Sequence, residues 1–281
     1  AGGVHPLWCG CGRALLVRMS PMFGRDDPQP SRTETHFAGR ADIYARYGLS
    51  YPSGCARFLI EKAGLKPSSL VADIGAGTGI FTRALLEEKL RVIAVEPNEE
   101  MREEADCLLS GYNRYSSRAG WAEDTGLPNG SVDLVTAAQA FPWFDKFKFR
   151  DECRRILRSN GYVAVLWHHR EIDNALVYDH DAICRRLCPR YQGPEAGWWE
   201  SLSVFGSFFR NGAFVRGTFR NDVDRDWPAY LGANLSSTYT PRPEEPQYGE
   251  FVEALRALFD KHQTDGLVRV PAVTQCCLGR V

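Results

Sequence analysis

Nine consecutive residues, Val71-Ala72-Asp73-Ile74-Gly75-Ala76-Gly77-Thr78-Gly79, restrict the possible folds of this chain more than any other stretch. The first part reads as a buried strand. The alternating glycines read as a tight turn, and residues 80–90 read as the helix that follows. Glycine permits left-handed backbone and close approach of a ligand, and the start of the helix presents unpaired N–H groups. A strand, turn and helix of this kind open a doubly wound α/β sheet that binds ligands at its strand carboxyl ends. A dinucleotide turn reads G-x-G-x-x-G. Here the third glycine comes one residue early, at Gly79, and Ile80 holds the dinucleotide position. Asp73 sets a carboxylate near the turn, which repels phosphate but can orient an amino group or a water.

The next segments extend the pattern. Val92-Ile93-Ala94-Val95 is a second apolar strand ending in Glu96-Pro97-Asn98. An acid at that position accepts hydrogen bonds from ribose hydroxyls, in a nicotinamide enzyme as much as in any other nucleoside-binding protein. Met101 can pack on an adenine face or simply in the core. Ala122-Glu123-Asp124-Thr125-Gly126-Leu127-Pro128 is a polar loop, and residues 131–137 form a strand ending at Ala138-Gln139-Ala140-Phe141-Pro142-Trp143-Phe144-Asp145. A helix over 144–157 is expected to end at Ser159-Asn160-Gly161. A fifth strand then covers 162–167, followed by His168 and His169. Neighbouring strand residues face opposite ways, so at most one of the two histidines faces the cleft. His168 is the candidate, as base or as hydrogen-bonding partner of a substrate.

The D-x-G-x-G-x-G turn resembles motif I of the class I S-adenosylmethionine-dependent methyltransferases. Residues 37–51, 122–128, 139–145 and 155–170 are similar to the methyltransferase type 11 family, and within it to the small-molecule branch related to trans-aconitate methyltransferase. That branch reads F-x-G-x-A-x-x-Y-x-x-Y-R-P-x-Y-P, A-Q-A-F-H-W-F-D and R-I-L-R-P-G-G. Here the first of these is Phe37-Ala38-Gly39-Arg40-Ala41-Asp42-Ile43-Tyr44-Ala45-Arg46-Tyr47-Gly48-Leu49-Ser50-Tyr51-Pro52.

The resemblance implies a Rossmann-like sheet of seven strands in the order 3-2-1-4-5-7-6, the last antiparallel and inserted beside the fifth. It implies S-adenosyl-L-methionine as cofactor and S-adenosyl-L-homocysteine as product. The cofactor set is then Tyr47, Asp73, Gly75, Ala76, Gly77, Glu96, Pro97, Met101, Ala122, Glu123, Gln139 and Ala140, with Ala122 and Glu123 at the adenine edge. Tyr44, Trp143, Trp198 and Trp199 are expected on the acceptor side. Pro142 replaces the usual His and Gly48-Leu49 the usual Arg-Pro, so the family's acceptors do not carry over. The expected reaction is methyl transfer to a small, partly apolar acceptor. The alternatives are a catalytically silent binding protein of the same fold and a nicotinamide oxidoreductase.

The rest of the chain frames this domain. Residues 1–35 read as a mobile extension foreign to the domain, with Leu15-Leu16-Val17 too short for a signal-peptide core and Met19 or Met22 as the functional start. Residues 36–281 form one domain, with 36–52 as a lid arm and 171–213 as an aromatic-rich insertion after the fifth strand. A sixth strand is expected over 214–220, helices over 227–235 and 248–262, and a last strand over 267–274. Lys and Arg total 34 against 35 Asp and Glu, which leaves no basic footprint for nucleic acid. Arg154-Arg155 and Arg185-Arg186 read as solvated helix faces. No apolar run reaches membrane-spanning length. Nine cysteines without C-x-x-C spacing point to reduced thiols, no metal and a cytoplasmic location.

Overall fold

The computed structural model describes residues 45–169, 173–193 and 205–281. The mobile extension expected over 1–35, Tyr44, Trp198 and Trp199 lie outside these residues.

Five parallel strands form one half of the sheet. They are β1 (Leu70–Ile74), β2 (Arg91–Val95), β3 (Tyr115–Arg118), β4 (Val132–Ala138) and β5 (Leu157–His169). Parallel strands with helices on both faces must be apolar on both sides. In β1 four of the five residues are accordingly buried. Helix α1 (Ser53–Ala63) precedes β1, α2 (Ile80–Glu87) follows it, α3 (Glu99–Leu109) follows β2, and α4 (Lys146–Ile156) links β4 to β5. Side-chain caps start two of these helices: Asn98 accepts the Met101 amide, and Asp145 accepts the Phe147 and Lys148 amides. Such caps satisfy N–H groups that a helix leaves unpaired.

The sheet is completed by β6 (Phe214–Arg220) and β9 (Val273–Gly279). Its order is β3-β2-β1-β4-β5-β9-β6, and β9 runs antiparallel to both β5 and β6. This is the seven-stranded arrangement anticipated from the sequence. Adjacent strand residues face opposite ways, so Cys277 enters the core beneath α4, with Phe149 and Phe205. Cys276 enters the opposite core, with α1 and α2. A third apolar cluster joins α5 (Ala175–Leu187), α6 (Trp227–Leu235) and α7 (Tyr248–His262).

Two expectations need correction. The last strand was expected over 267–274, but the chain divides there. β8 (Val268–Val270) pairs with β7 (Val223–Arg225) in a separate ribbon, and β9 begins only after Pro271, which has no N–H to give a ladder. The expected stop at Ser159-Asn160-Gly161 is instead inside β5, which starts directly after α4. The pairing with β4 shifts register between Val132 and Leu134, and a Cβ on Gly161 would fall 3.1 Å from the Asp133 carbonyl oxygen. That glycine serves close strand packing rather than a helix end.

Candidate active site

A cleft of about 970 Å³, counting its open mouth, lies over the carboxyl ends of β1, β2 and β4. Its floor is the turn after β1. Gly75, Gly77 and Gly79 all adopt left-handed backbone, with φ of 65°, 56° and 80°. They do different work. A Cβ on Gly75 would lie 2.6 Å from Ala140 Cβ, and one on Gly79 2.7 Å from Leu109 Cδ1, so these two glycines allow close packing of the turn. A Cβ on Gly77 would meet only Met101 Sδ at 3.7 Å, and this glycine instead keeps the cleft floor open.

Two buried carboxylates organise the turn. Asp73 accepts the Thr82 hydroxyl at 2.7 Å and the Thr136 hydroxyl at 2.6 Å, tying β1 to α2 and β4. Burial pushes its pKa up to about 6, against the partial opposition of these two hydrogen bonds. The unfolded carboxyl titrates near 3.8, so between about pH 4 and 6 the folded state holds a proton that the unfolded state has lost. Asp73 therefore makes stability fall as pH rises through that window and level off above it. Measured against Asp73→Asn, the wild-type protein should lose relative stability from pH 4 to 6. A stability difference that stays constant with pH would contradict this ionisation.

Glu96 ends β2. One carboxylate oxygen accepts the Gly77 amide at 2.9 Å and the other accepts the Asn98 amide at 3.0 Å. Burial raises its pKa, while those two amides and Arg102 oppose the rise. Each oxygen keeps acceptor capacity towards the cleft, which suits a pair of ribose hydroxyls. Glu96→Ala should weaken S-adenosylhomocysteine binding by about 1–3 kcal/mol, the range for hydrogen bonds involving a charged group. A thermal shift by that ligand as large in the variant as in wild type would remove Glu96 from the site.

The loop at 122–128 is held from below. Glu152 of α4 is buried and accepts the Thr125 amide at 2.8 Å and its hydroxyl at 2.6 Å. Arg155 forks onto both Glu152 oxygens at 2.7 Å and also donates to the Leu127 carbonyl and to Asn129. Burial would raise the Glu152 pKa, but Arg155 and Thr125 outweigh it and the carboxyl sits below its ordinary value. Arg155 is thus a clamp, where the sequence reading had made it part of a solvated face. Glu123 lines the cleft and also accepts the Asp145 amide at 2.7 Å.

Twelve of the expected residues line this one cleft: Asp73, Gly75, Ala76, Gly77, Glu96, Pro97, Met101, Ala122, Glu123, Gln139, Ala140 and Trp143. Two of the expected residues do not. The Tyr47 ring lies against Gly232 of α6, and Arg225 donates to the Tyr47 carbonyl at 3.0 Å. Tyr51, four residues further along the arm, lines the cleft in its place. His168, absent from the cleft lining, packs tilted against the Tyr51 ring, with centroids 4.4 Å apart, and its Nδ1 pairs with the Thr274 hydroxyl at 2.8 Å. Burial lowers its pKa to about 4, so its ring is neutral and supports Tyr51. Sequence reasoning also missed Trp121, Phe81 and Phe144 as wall residues. Trp121 immediately precedes the Ala122-Glu123 pair, and that adjacency was the available signal.

Residues 72–165 match the family model of a methyltransferase domain. The chain is 35% identical over 135 residues to an uncharacterised methyltransferase of Mycobacterium tuberculosis, covering 48% of this chain and 53% of that one. It is 34% identical over 122 residues to an uncharacterised methyltransferase-like protein of Schizosaccharomyces pombe, covering 43% and 46%. The chain thus spans about half the length of the curated relatives it matches. A solved structure from Anaeromyxobacter dehalogenans, a candidate type II methyltransferase, superposes with a TM-score of 0.60 at 26% identity, covering 83% of this chain and 97% of that one.

Proposed function

We propose that this chain is a class I S-adenosylmethionine-dependent methyltransferase and that it methylates a small, partly apolar acceptor at an oxygen, nitrogen or sulfur atom. The observation that carries this reading is the mixed lining of the cleft, which combines polar main chain and carboxylate from the glycine turn and Glu96 with the aromatic rings of Tyr51, Phe81, Trp143 and Phe144.

The residues present fit the cofactor. Glu96 suits the ribose, Ala122 and Glu123 suit the adenine edge, and the open floor at Gly77 suits close approach to the turn. When bound, S-adenosylmethionine supplies an electrophilic methyl on a sulfonium. The chain's own contribution is placement and exclusion of water. Aromatic faces attract a cation and displace water from an apolar body. In-line placement alone is worth on the order of 7–11 kcal/mol at best. An acceptor that arrives deprotonated needs no protein base, which agrees with the absence of His168 from the cleft lining.

The test has two arms. Calorimetry should show binding of S-adenosylhomocysteine and none of NAD. Tritiated methyl should pass from S-adenosylmethionine into the fraction of a cell extract below about 1 kDa. Binding of S-adenosylhomocysteine with no label in any fraction would favour a catalytically silent binding protein, and binding of NAD alone would favour an oxidoreductase.

A further inference from the structure

Among the described residues at this site, Gln139 alone has a backbone in conflict with its side chain. Its φ is 63°, in the left-handed region, which glycine and asparagine tolerate and glutamine does not favour. A strand could end here at lower cost with either of those residues. The Gln139 amide nevertheless donates to the Leu166 carbonyl at 2.8 Å, so the strained residue is locked to β5. Strain of this kind collects where a side chain must be aimed.

The position says at what it is aimed. In the sheet, β4 lies between β1 and β5. On the β1 side, Ala140 backs the turn so closely that Gly75 admits no Cβ. On the β5 side stands Tyr51, packed on His168. Gln139 lies between the two and lines the cleft. Among the described residues its carboxamide has no hydrogen-bond partner. A carboxamide both donates and accepts. It carries no charge, and its nitrogen lone pair is delocalised, so it does not compete as a nucleophile.

We propose that Gln139 holds the polar group of the methyl acceptor, orienting the nucleophilic atom between the glycine turn and the aromatic wall. The resemblance placed Gln139 with the cofactor. The strained backbone and open amide beside the aromatic wall place it with the acceptor. The proposal rests on the methyltransferase reading above and specifies which residue chooses the acceptor.

The test uses the full chain and the variants Gln139→Gly and Gln139→Glu. Three quantities are measured: melting temperature, S-adenosylhomocysteine affinity by calorimetry, and the initial rate of tritiated methyl transfer into the small-molecule fraction of a cell extract. Gln139→Gly relieves the left-handed strain, so its melting temperature should rise by about 2 °C. Its affinity for S-adenosylhomocysteine should stay within about twofold of wild type, and its transfer rate should fall about tenfold or more. Gln139→Glu keeps the shape and loses the donor, so it should lose transfer with an unchanged melting temperature. Stability and turnover moving in opposite directions is the signature of an aimed, strained residue. A fall in melting temperature together with turnover would make Gln139 structural. A matching fall in S-adenosylhomocysteine affinity would return it to the cofactor side, and unchanged transfer in both variants would also overturn the proposal. If wild type fails to bind S-adenosylhomocysteine or to transfer label, the methyltransferase reading itself fails, and this proposal with it.

Discussion

Gly77→Val should abolish binding of S-adenosylhomocysteine while leaving the protein folded. Two separate effects combine at this residue. Its φ of 56° is an outlier for a β-branched side chain, so the variant melts at a lower temperature. The protein itself offers no clash, because the nearest atom to a Cβ there is Met101 Sδ at 3.7 Å. The valine methyl groups therefore occupy the ligand's space, and the Gly77 amide that anchors Glu96 shifts with them. Gly77→Ala is the control, with the same backbone strain and less intrusion. Its affinity should lie between the two. The neighbouring glycines behave differently: at Gly79 the added Cβ meets Leu109 Cδ1 at 2.7 Å, so a valine there loses the fold before the ligand. Calorimetry giving one affinity for wild type and Gly77→Val would place the ligand elsewhere.

The second large effect is on stability. Glu152→Ala should cost about 2–4 kcal/mol, the scale of a broken buried charge pair with its hydrogen bonds. The substitution strands the Thr125 amide and hydroxyl and leaves Arg155 without its partner. Arg155 is about a third exposed, so water takes up part of its loss and the lower half of the range applies to Arg155→Ala. Urea unfolding is the measurement. A midpoint equal to that of wild type would mean that the loop at 122–128 holds its shape without the clamp. Because the same loop carries Ala122 and Glu123, S-adenosylhomocysteine affinity should weaken in both variants.

How much could be read from the sequence follows from where the information lies. The turn at 75–79, the acid at 96 and the loop at 122–128 are each encoded within a few residues, next to the strand that positions them. Gly75, Ala76, Gly77, Glu96, Ala122 and Glu123 from these segments line the cleft. Tyr47 and Tyr51 are alike in sequence, but which one faces the cleft depends on Gly232 of α6, far along the chain. No local pattern carries that choice. Arg155 has the charge of a surface residue, and only burial of its partner Glu152 under the loop reveals the clamp. His168 was placed correctly at the end of β5, yet its access to the cleft is taken by Tyr51. The last strand was misread because an apolar run of β-formers continues across Pro271, and the break in hydrogen bonding there does not show in hydropathy.

The antiparallel strand inserted between β5 and β6 also sets a timetable. Leu166 of β5 pairs with Cys276 of β9, so the right-hand edge of the parallel half stays unpaired until residues far downstream have been made. At about 5–20 residues per second, the stretch from the end of β5 to the start of β9 takes roughly 5–20 s to synthesise. Throughout that interval the nascent chain displays a long, apolar edge that invites pairing with other chains. β6 emerges earlier but cannot close the gap, since its own partner is the missing strand. A chain interrupted before Val273 would hold two open edges at once, and aggregation is the fate expected for such fragments.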